Sequence, residues 1–300
     1  MIFSGSSNKE LAESVARYLN LVVSSLEITV FPDGERRIRV IDDVLEKDTF
    51  VIQPTATPGD QNYMELFLIV DALRRSGARS VTGIVPYLGY QRQDHVFRSG
   101  EAVSLEVISE TLERVGLSKI VCLDLHSVKI PEVFSIPVLH LSALPLFAQK
   151  IREIMETLEG KTILVTPDMG GIRRIKQLSE MLDNMPYAII EKDRDLETGS
   201  IRDASIDREV KDRTAFIVDD MISTGKTIIA AAELLKEKGV NKIYVFATHG
   251  VLSKEAPEIL ENELIEKVYL TDSVYIPEEK KFPKLEIISI ADTIANAISS

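Results

Sequence analysis

The residues of this chain best suited to chemistry lie in Phe216-Ile-Val-Asp219-Asp220-Met-Ile-Ser223-Thr224-Gly225-Lys226-Thr227. A short apolar run ends in two adjacent carboxylates. A loop of hydroxyl and glycine residues follows, then an Ala/Leu-rich segment from Ile228 to Lys238. The order reads as buried strand, loop and helix. A glycine-containing loop at a helix N-terminus cradles phosphate, because its N–H groups and hydroxyls point at the anion. The two aspartates repel phosphate and suit polyol hydroxyls or a divalent cation instead. A phosphate pocket beside a hydroxyl or metal pocket describes a phosphorylated sugar. Thr224-Gly-Lys-Thr227 also invites a nucleotidase P-loop reading, but that loop needs a glycine where Asp220 stands.

Other segments carry chemistry more ambiguously. Phe31-Pro32-Asp33-Gly34-Glu35 is a turn. Its aromatic ring and two carboxylates suit a base with an exocyclic amine, or simply anchor a surface loop. Tyr90-Gln91-Arg92-Gln93-Asp94-His95 follows a strand ending at Pro86, on the edge of an α/β sheet where ligands bind. Leu123-Asp124-Leu125-His126-Ser127 ends a strand with a carboxylate and an imidazole, which could orient a metal or serve structure alone. In Thr166-Pro167-Asp168-Met169-Gly170-Gly171, the glycines allow close backbone approach, and Asp168 suits Mg²⁺ or a hydroxyl. Lys192 and Arg194 stand just past a strand end, one residue apart, within the charged stretch Glu191 to Asp203. On extended backbone they share a face and could clamp a phosphoryl group; otherwise the stretch is a solvated surface.

The elements that must position these residues alternate strand and helix, the pattern of a mainly parallel sheet flanked by helices. Strands are expected at Met1 to Ser4, Thr49 to Gln53, Val81 to Pro86, Ile120 to Leu125, Thr162 to Val165, Tyr187 to Ile190, Ala215 to Val218 and Ile243 to Ala247. Helices are expected from Lys9 to Leu19, capped by Ser7 or Asn8, and from Tyr63 to Ser76. Glu35 to Ile41 reads as a half-exposed strand, and Ile287 to Ile298 as a strand end with a short apolar helix. The strand–helix–strand run from Thr49 to Tyr87 is echoed from Thr214 to His249, with Leu-x-x-x-Gly closing each helix. The second copy keeps the acidic pair; the first has Pro54-Thr55 there. Two similar α/β domains follow as the expectation. Residues 1–142 form the first, joined by a C-terminal helix at 286–300, and residues 143–285 form the second.

The net charge of −12 argues against a nucleic-acid surface and requires a local basic site for any polyanionic substrate. Cys122, the sole cysteine, sits in an apolar run and reads as a buried thiol. No stretch approaches the ~20 apolar residues needed to span a membrane, and the Met-Ile-Phe-Ser-Gly start reads as a strand rather than a signal. A cytoplasmic location, with no membrane or nucleic-acid partner, is the expectation.

The acidic loop resembles that of the phosphoribosyltransferase superfamily: apolar residues, Asp-Asp, three variable residues, Thr-Gly-x-Thr. The ordered set Phe-Pro-Asp-Gly-Glu, Tyr-x-Arg-Gln-Asp, Asp-Leu-His-Ser, Pro-Asp-Met-Gly-Gly, Lys-x-Arg and the acidic loop resembles the ribose-phosphate diphosphokinase family from first strand to last helix. That resemblance implies two phosphoribosyltransferase-type domains. It also implies transfer of the diphosphoryl group of ATP to the anomeric hydroxyl of ribose 5-phosphate with Mg²⁺, releasing AMP. By the same resemblance, Asp219 and Asp220 take the ribose hydroxyls, and Ser223, Thr224, Gly225, Lys226 and Thr227 hold the 5-phosphate. Phe31, Asp33 and Glu35 contact adenine, reaching a neighbouring subunit's site, so at least a dimer is implied. Arg92, Gln93, Asp94 and His95 belong to the ATP side, His126 and Asp168 to the metal, and Lys192 and Arg194 to catalysis. Lys226 stands where many relatives carry glycine, and His95 where arginine is common. A single-domain salvage phosphoribosyltransferase would share the acidic loop but leaves the first-half motifs without a use. A catalytically silent relative would be expected to lose Lys192, Arg194 or the metal positions, all of which are kept.

Overall fold

The computed structural model describes residues 1–194 and 201–299, with side chains described outside 192–194 and 201–204. The chain divides into two compact units. One comprises Met1–Leu141, Ser273–Tyr275 and Ser289–Ser300; the other comprises Ser142–Asp272 and Ile276–Ile288.

The first unit contains β1 (Ile2–Ser4), β2 (Val23–Ser24), β3 (Leu26–Val30), β4 (Arg36–Val40), β5 (Asp48–Ile52), β6 (Ser80–Ile84), β7 (Lys119–Leu123) and β8 (Val138–Leu141). Six of them form a sheet of order β2-β1-β5-β6-β7-β8 in which every pair is parallel. A parallel sheet is covered on both faces, so its strands read as continuous apolar runs, as in Ile120-Val-Cys-Leu123, all buried. Helices α1 (Lys9–Tyr18), α2 (Gly59–Arg75) and α3 (Ser104–Val115) cover this sheet, and Asn8 caps α1 by accepting from Leu11 N–H at 3.2 Å. β3 and β4 pair only with each other, as an antiparallel hairpin closed by residues 31–35. Leu26, Ile38 and Val40 of the hairpin pack on the buried core beneath it. Burial pushes the Cys122 thiol up from its ordinary range, as befits a core residue.

The second unit holds α4 (Leu144–Met155), β9 (Lys161–Thr166), α5 (Ile172–Met181), β10 (Tyr187–Arg194), β11 (Ile201–Ile206), β12 (Arg213–Ile222), α6 (Lys226–Glu237), β13 (Lys242–Gly250), α7 (Ala256–Leu260), β14 (Lys267–Thr271) and β15 (Leu285–Ile288). The final helix, α8 (Ala291–Ser299), belongs to the first unit. The second sheet runs β11-β10-β9-β12-β13-β14-β15, parallel except for the β10–β11 edge. Without β11, its order repeats the first sheet strand for strand. The segments β5-α2-β6 and β12-α6-β13 occupy the same places in the two sheets, which is the architectural form of the repeat seen in the sequence.

Four of the element boundaries that differ from the sequence expectation change how candidate residues are placed. β12 continues through Ile222, because Met221 and Ile222 pair with His249 and Gly250; the acidic pair therefore lies within a strand rather than at its end. α6 begins at Lys226, two residues before Ile228, because Gly225 turns the chain at φ +75°. α2 begins at Gly59, one turn before Tyr63, directly after an extended Pro58. β10 extends through Arg194, so the backbone of Lys192 and Arg194 is in the β10–β11 ladder and not beyond a strand end. Antiparallel pairing with β11 lengthens β10, and that pairing was not legible in the charged stretch. No helix among the described residues is long and apolar enough to cross a membrane.

Candidate active site

β12, the central strand of the second sheet, carries Asp219 and Asp220. Both are nearly buried, with side chains 14% and 8% accessible. Asp219 Oδ1 accepts Asp220 N–H at 2.9 Å, and Asp220 Oδ1 accepts Met221 N–H at 3.0 Å, so each carboxylate is oriented by the backbone that follows it. Arg174, on α5, faces the pair. Its Nη1 lies 3.6 Å from Asp219 Oδ1, and its Nη2 lies 3.6 Å from Asp220 Oδ2. Nη1 is buried and has no hydrogen-bond partner among the described residues. Burial and the neighbouring Asp220 hold the Asp219 carboxyl well above the usual carboxylate range; Arg174 pulls it back down, and Asp168 adds to the rise. Three carboxylates thus share one field with one buried guanidinium.

Arg174 was not among the sequence candidates. The available signal was physical: a buried acidic pair needs a cation nearby, and the helix after Gly170-Gly171 opens with two arginines.

The loop after the acidic pair leads directly into the N-terminus of α6. Gly225 precedes α6 in the left-handed region, and a Cβ there would sit 3.2 Å from Ile259 Cγ2. The first bond of the helical turn runs from Ile229 N–H to Gly225 carbonyl at 3.0 Å, which leaves the preceding amides without an intrahelical acceptor. Ser253 N–H donates to the Ser223 carbonyl at 2.9 Å, and the two hydroxyls lie 2.9 Å apart, fixing the loop. Thr224 and Thr227 are partly exposed and Lys226 is exposed.

Asp168 follows β9, the strand paired with β12, two residues past its end. Its Oδ1 accepts Gly170 N–H at 2.9 Å, and Thr166 Oγ1 donates to its carbonyl at 3.0 Å. Gly171 must be glycine, since a Cβ would fall 2.0 Å from Thr166 Oγ1.

The first unit carries three of the candidate segments. The 31–35 turn is closed by Phe31 N–H to Glu35 carbonyl at 2.8 Å and Gly34 N–H to Phe31 carbonyl at 2.9 Å. Phe31, Asp33 and Glu35 are all exposed, with the Arg37 guanidinium 5.6 Å from the Phe31 ring centre. The hydroxyl of Tyr90 donates to Asp60 on α2, and Gln93 accepts from Ser104 Oγ at 2.9 Å. Arg92 and His95 are exposed; His95 Nδ1 lies 2.6 Å from Asp94 Oδ1, and its ring lies 4.0 Å from that of Phe97. Gln91, the variable residue of the motif, is buried and accepts His126 N–H at 2.9 Å through Oε1. It therefore ties the Arg92–His95 segment to the His126 loop.

The structure brings Asp168, Asp219 and Asp220 together in one unit, and Arg92–His95 and His126 together in the other. The side chains of Lys192 and Arg194 lie outside the described residues. Among those described, no three His, Cys, Asp or Glu residues group as a metal cage.

Comparison with known proteins identifies the family. A family model described as the N-terminal domain of ribose phosphate pyrophosphokinase matches residues 1–116, and one described as the phosphoribosyl synthetase-associated domain matches residues 202–300. The ribose-phosphate pyrophosphokinase of Fusobacterium nucleatum is 38% identical over 298 residues, covering 99% of this chain and 93% of that protein. This chain belongs to the ribose-phosphate pyrophosphokinase family. The Thermotoga maritima member is 36% identical over 297 residues, covering 99% of this chain and 93% of its own length. The crystal structure of phosphoribosylpyrophosphate synthetase from Mycobacterium smegmatis superposes with a TM-score of 0.94 at 35% identity, covering all of this chain and 97% of that one. The likeness spans both units.

Proposed function

We propose that this enzyme transfers the diphosphoryl group of ATP to the anomeric hydroxyl of ribose 5-phosphate, giving 5-phosphoribosyl 1-diphosphate and AMP. Family membership over the full length carries the reaction class. The observation that carries the sugar-phosphate site is the buried pair Asp219–Asp220 running directly into the Gly225-capped loop. The anomeric oxygen forms a bond to the β-phosphorus. The bond from that phosphorus to the oxygen bridging the α-phosphate breaks, AMP leaves with that oxygen, and the hydroxyl proton is lost to solvent.

The residues divide the work. Ser223, Thr224, Gly225, Lys226 and Thr227 bind the 5-phosphate through amides, hydroxyls and one ammonium. Asp219 and Asp220 accept from ribose hydroxyls and hold the anomeric carbon in place. Phe31 offers a face to adenine, with Asp33 and Glu35 as acceptors for its amine. Arg92, Gln93, Asp94 and His95 hold the nucleotide's polar end. Lys192 and Arg194 offset negative charge as it spreads over the transferring group.

Mg²⁺ suits the donors present. It is bound through one or two carboxylates plus substrate phosphates rather than a full protein cage, and Asp168 is a half-buried carboxylate that adds to the negative field at Asp219. Asp168 and His126 are the positions that would serve the metal. When bound, Mg²⁺ neutralises phosphate charge. The enzyme works in the cytoplasm as at least a dimer, the 31–35 turn serving a neighbouring subunit. Incubation with ribose 5-phosphate, ATP and Mg²⁺ tests the reaction: AMP should form only when the sugar is present. Sugar-independent AMP, or none at all, refutes it.

A further inference from the structure

The 31–35 turn sits at the tip of a hairpin that joins neither large sheet. A nucleotide contact on such a tip needs something close by to hold it still. Arg36, the first residue of β4, is the polar tie nearest the turn. Its Nε donates to Glu65 Oε2 at 3.2 Å, and its Nη2 reaches Gln61 Oε1 at 3.5 Å. Gln61 and Glu65 stand four residues apart on α2 and so share one face.

Glu65 is only 1% accessible, yet its carboxylate is fully engaged. Oε1 accepts Ser6 N–H at 2.6 Å and Gln53 Nε2 at 3.0 Å; Oε2 accepts Ser6 Oγ at 2.9 Å as well as Arg36. Gln53, fully buried, is itself fixed by Ser7 N–H at 3.1 Å and Ser7 Oγ at 2.7 Å on its Oε1. A Cβ on Gly5 would lie 2.1 Å from that oxygen, so the loop after β1 is shaped around the amide. The carboxylate is therefore held by the loops after β1 and β5 as well as by Arg36, and Arg36 is its one cationic partner by ion-pair distance among the described residues.

We infer that Arg36 is a positioning residue: its pairing with the buried Glu65 carboxylate pins the Phe31–Glu35 turn at a fixed place for nucleotide binding. This rests on the nucleotide role proposed above for that turn.

The chain has no tryptophan, so Phe31→Trp places a single indole fluorophore on the turn. In that background, adding Arg36→Met should lower the fluorescence anisotropy of the indole and raise KM for ATP ~10-fold, the equivalent of one charge-assisted hydrogen bond. KM for ribose 5-phosphate should stay within about twofold, a margin well below one such bond. Should Arg36→Met fail to fold, Arg36→Gln gives the same two readings. Unchanged anisotropy with unchanged KM for ATP in a folded variant overturns the pin. Lowered anisotropy with unchanged KM for ATP also overturns it as a positioning device. Phe31→Ala separates the two ideas: if it leaves KM for ATP unchanged, the nucleotide role of the turn fails and the pin fails with it. If it raises KM for ATP while Arg36→Met does not, the pin alone fails.

Discussion

Arg174→Met should destabilise the second unit in a manner that depends on pH. Arg174 Nη1 and Nη2 each lie 3.6 Å from one carboxylate of the acidic pair, and all three side chains are nearly buried. Two unit charges about 4 Å apart attract by ~4 kcal/mol at an effective dielectric of ~20. Desolvation takes part of this back, and stripping one member from a buried ionic cluster costs about 3–5 kcal/mol. At about 2–4 °C per kcal/mol for a chain of this order of size, the melting temperature should fall by ~10 °C.

The sign follows from Asp219. Its carboxyl is raised in the folded state, so the stability it contributes is full at low pH and is lost as pH rises through the raised value. Without Arg174 the rise is steeper. The deficit of Arg174→Met should therefore grow as pH rises through the raised Asp219 value and shrink as pH falls below it toward the ordinary carboxylate range. Circular-dichroism melts across that span of pH in low-salt, chelator-containing buffer measure it. Asp219→Asn added to Arg174→Met should restore much of the loss by removing one of the two facing charges. A deficit that is flat with pH, or none at alkaline pH, would refute the charge argument.

Other substitutions probe separate parts of the site. Lys192→Ala should lower kcat by about 10²–10³-fold, the scale of losing one charge-stabilising group, with an unchanged melting temperature; equal rates would remove Lys192 from catalysis. Gly225→Ala forces a left-handed backbone costing about 1–2 kcal/mol and crowds Ile259. It should raise KM for ribose 5-phosphate ~10-fold while sparing KM for ATP; a change in the ATP constant instead would misplace the phosphate loop. Gly171→Ala puts a Cβ 2.0 Å from Thr166 Oγ1, an overpacking of about 1–3 kcal/mol that displaces the Asp168 turn. The Mg²⁺ concentration for half-maximal rate should rise, and an unmoved value would detach Asp168 from the metal.

Much of this protein was readable as a string. The β12–loop–α6 segment was legible because a buried strand, an acidic pair, a glycine turn and a helix are each local patterns. The same holds for the 31–35 turn, which closes through contacts within five residues, and for the Asn8 cap of α1. The two-fold repetition of α/β units was visible in the matched segments from Thr49 and from Thr214. Less legible were the short strand Lys267–Thr271 and the edge strand Ile201–Ile206, which exist because a neighbouring strand offers a partner. The extension of β12 past Asp220 has the same cause: the ladder with β13 continues for two more residues.

What only the tertiary structure decided are the partnerships across distance. Nothing near Asp219 in sequence announces Arg174; α5 brings it there by packing against the sheet. Nothing near Arg36 announces Glu65, Gln53 and Ser6, which come from a helix and from the loops after two parallel strands. Side-chain type and local spacing set which chemistry each segment can perform. Which charges share a low-dielectric site is set by how helices and strands stack. Burial magnifies those pairings, so the pairings it strengthens are also the ones the linear order leaves open.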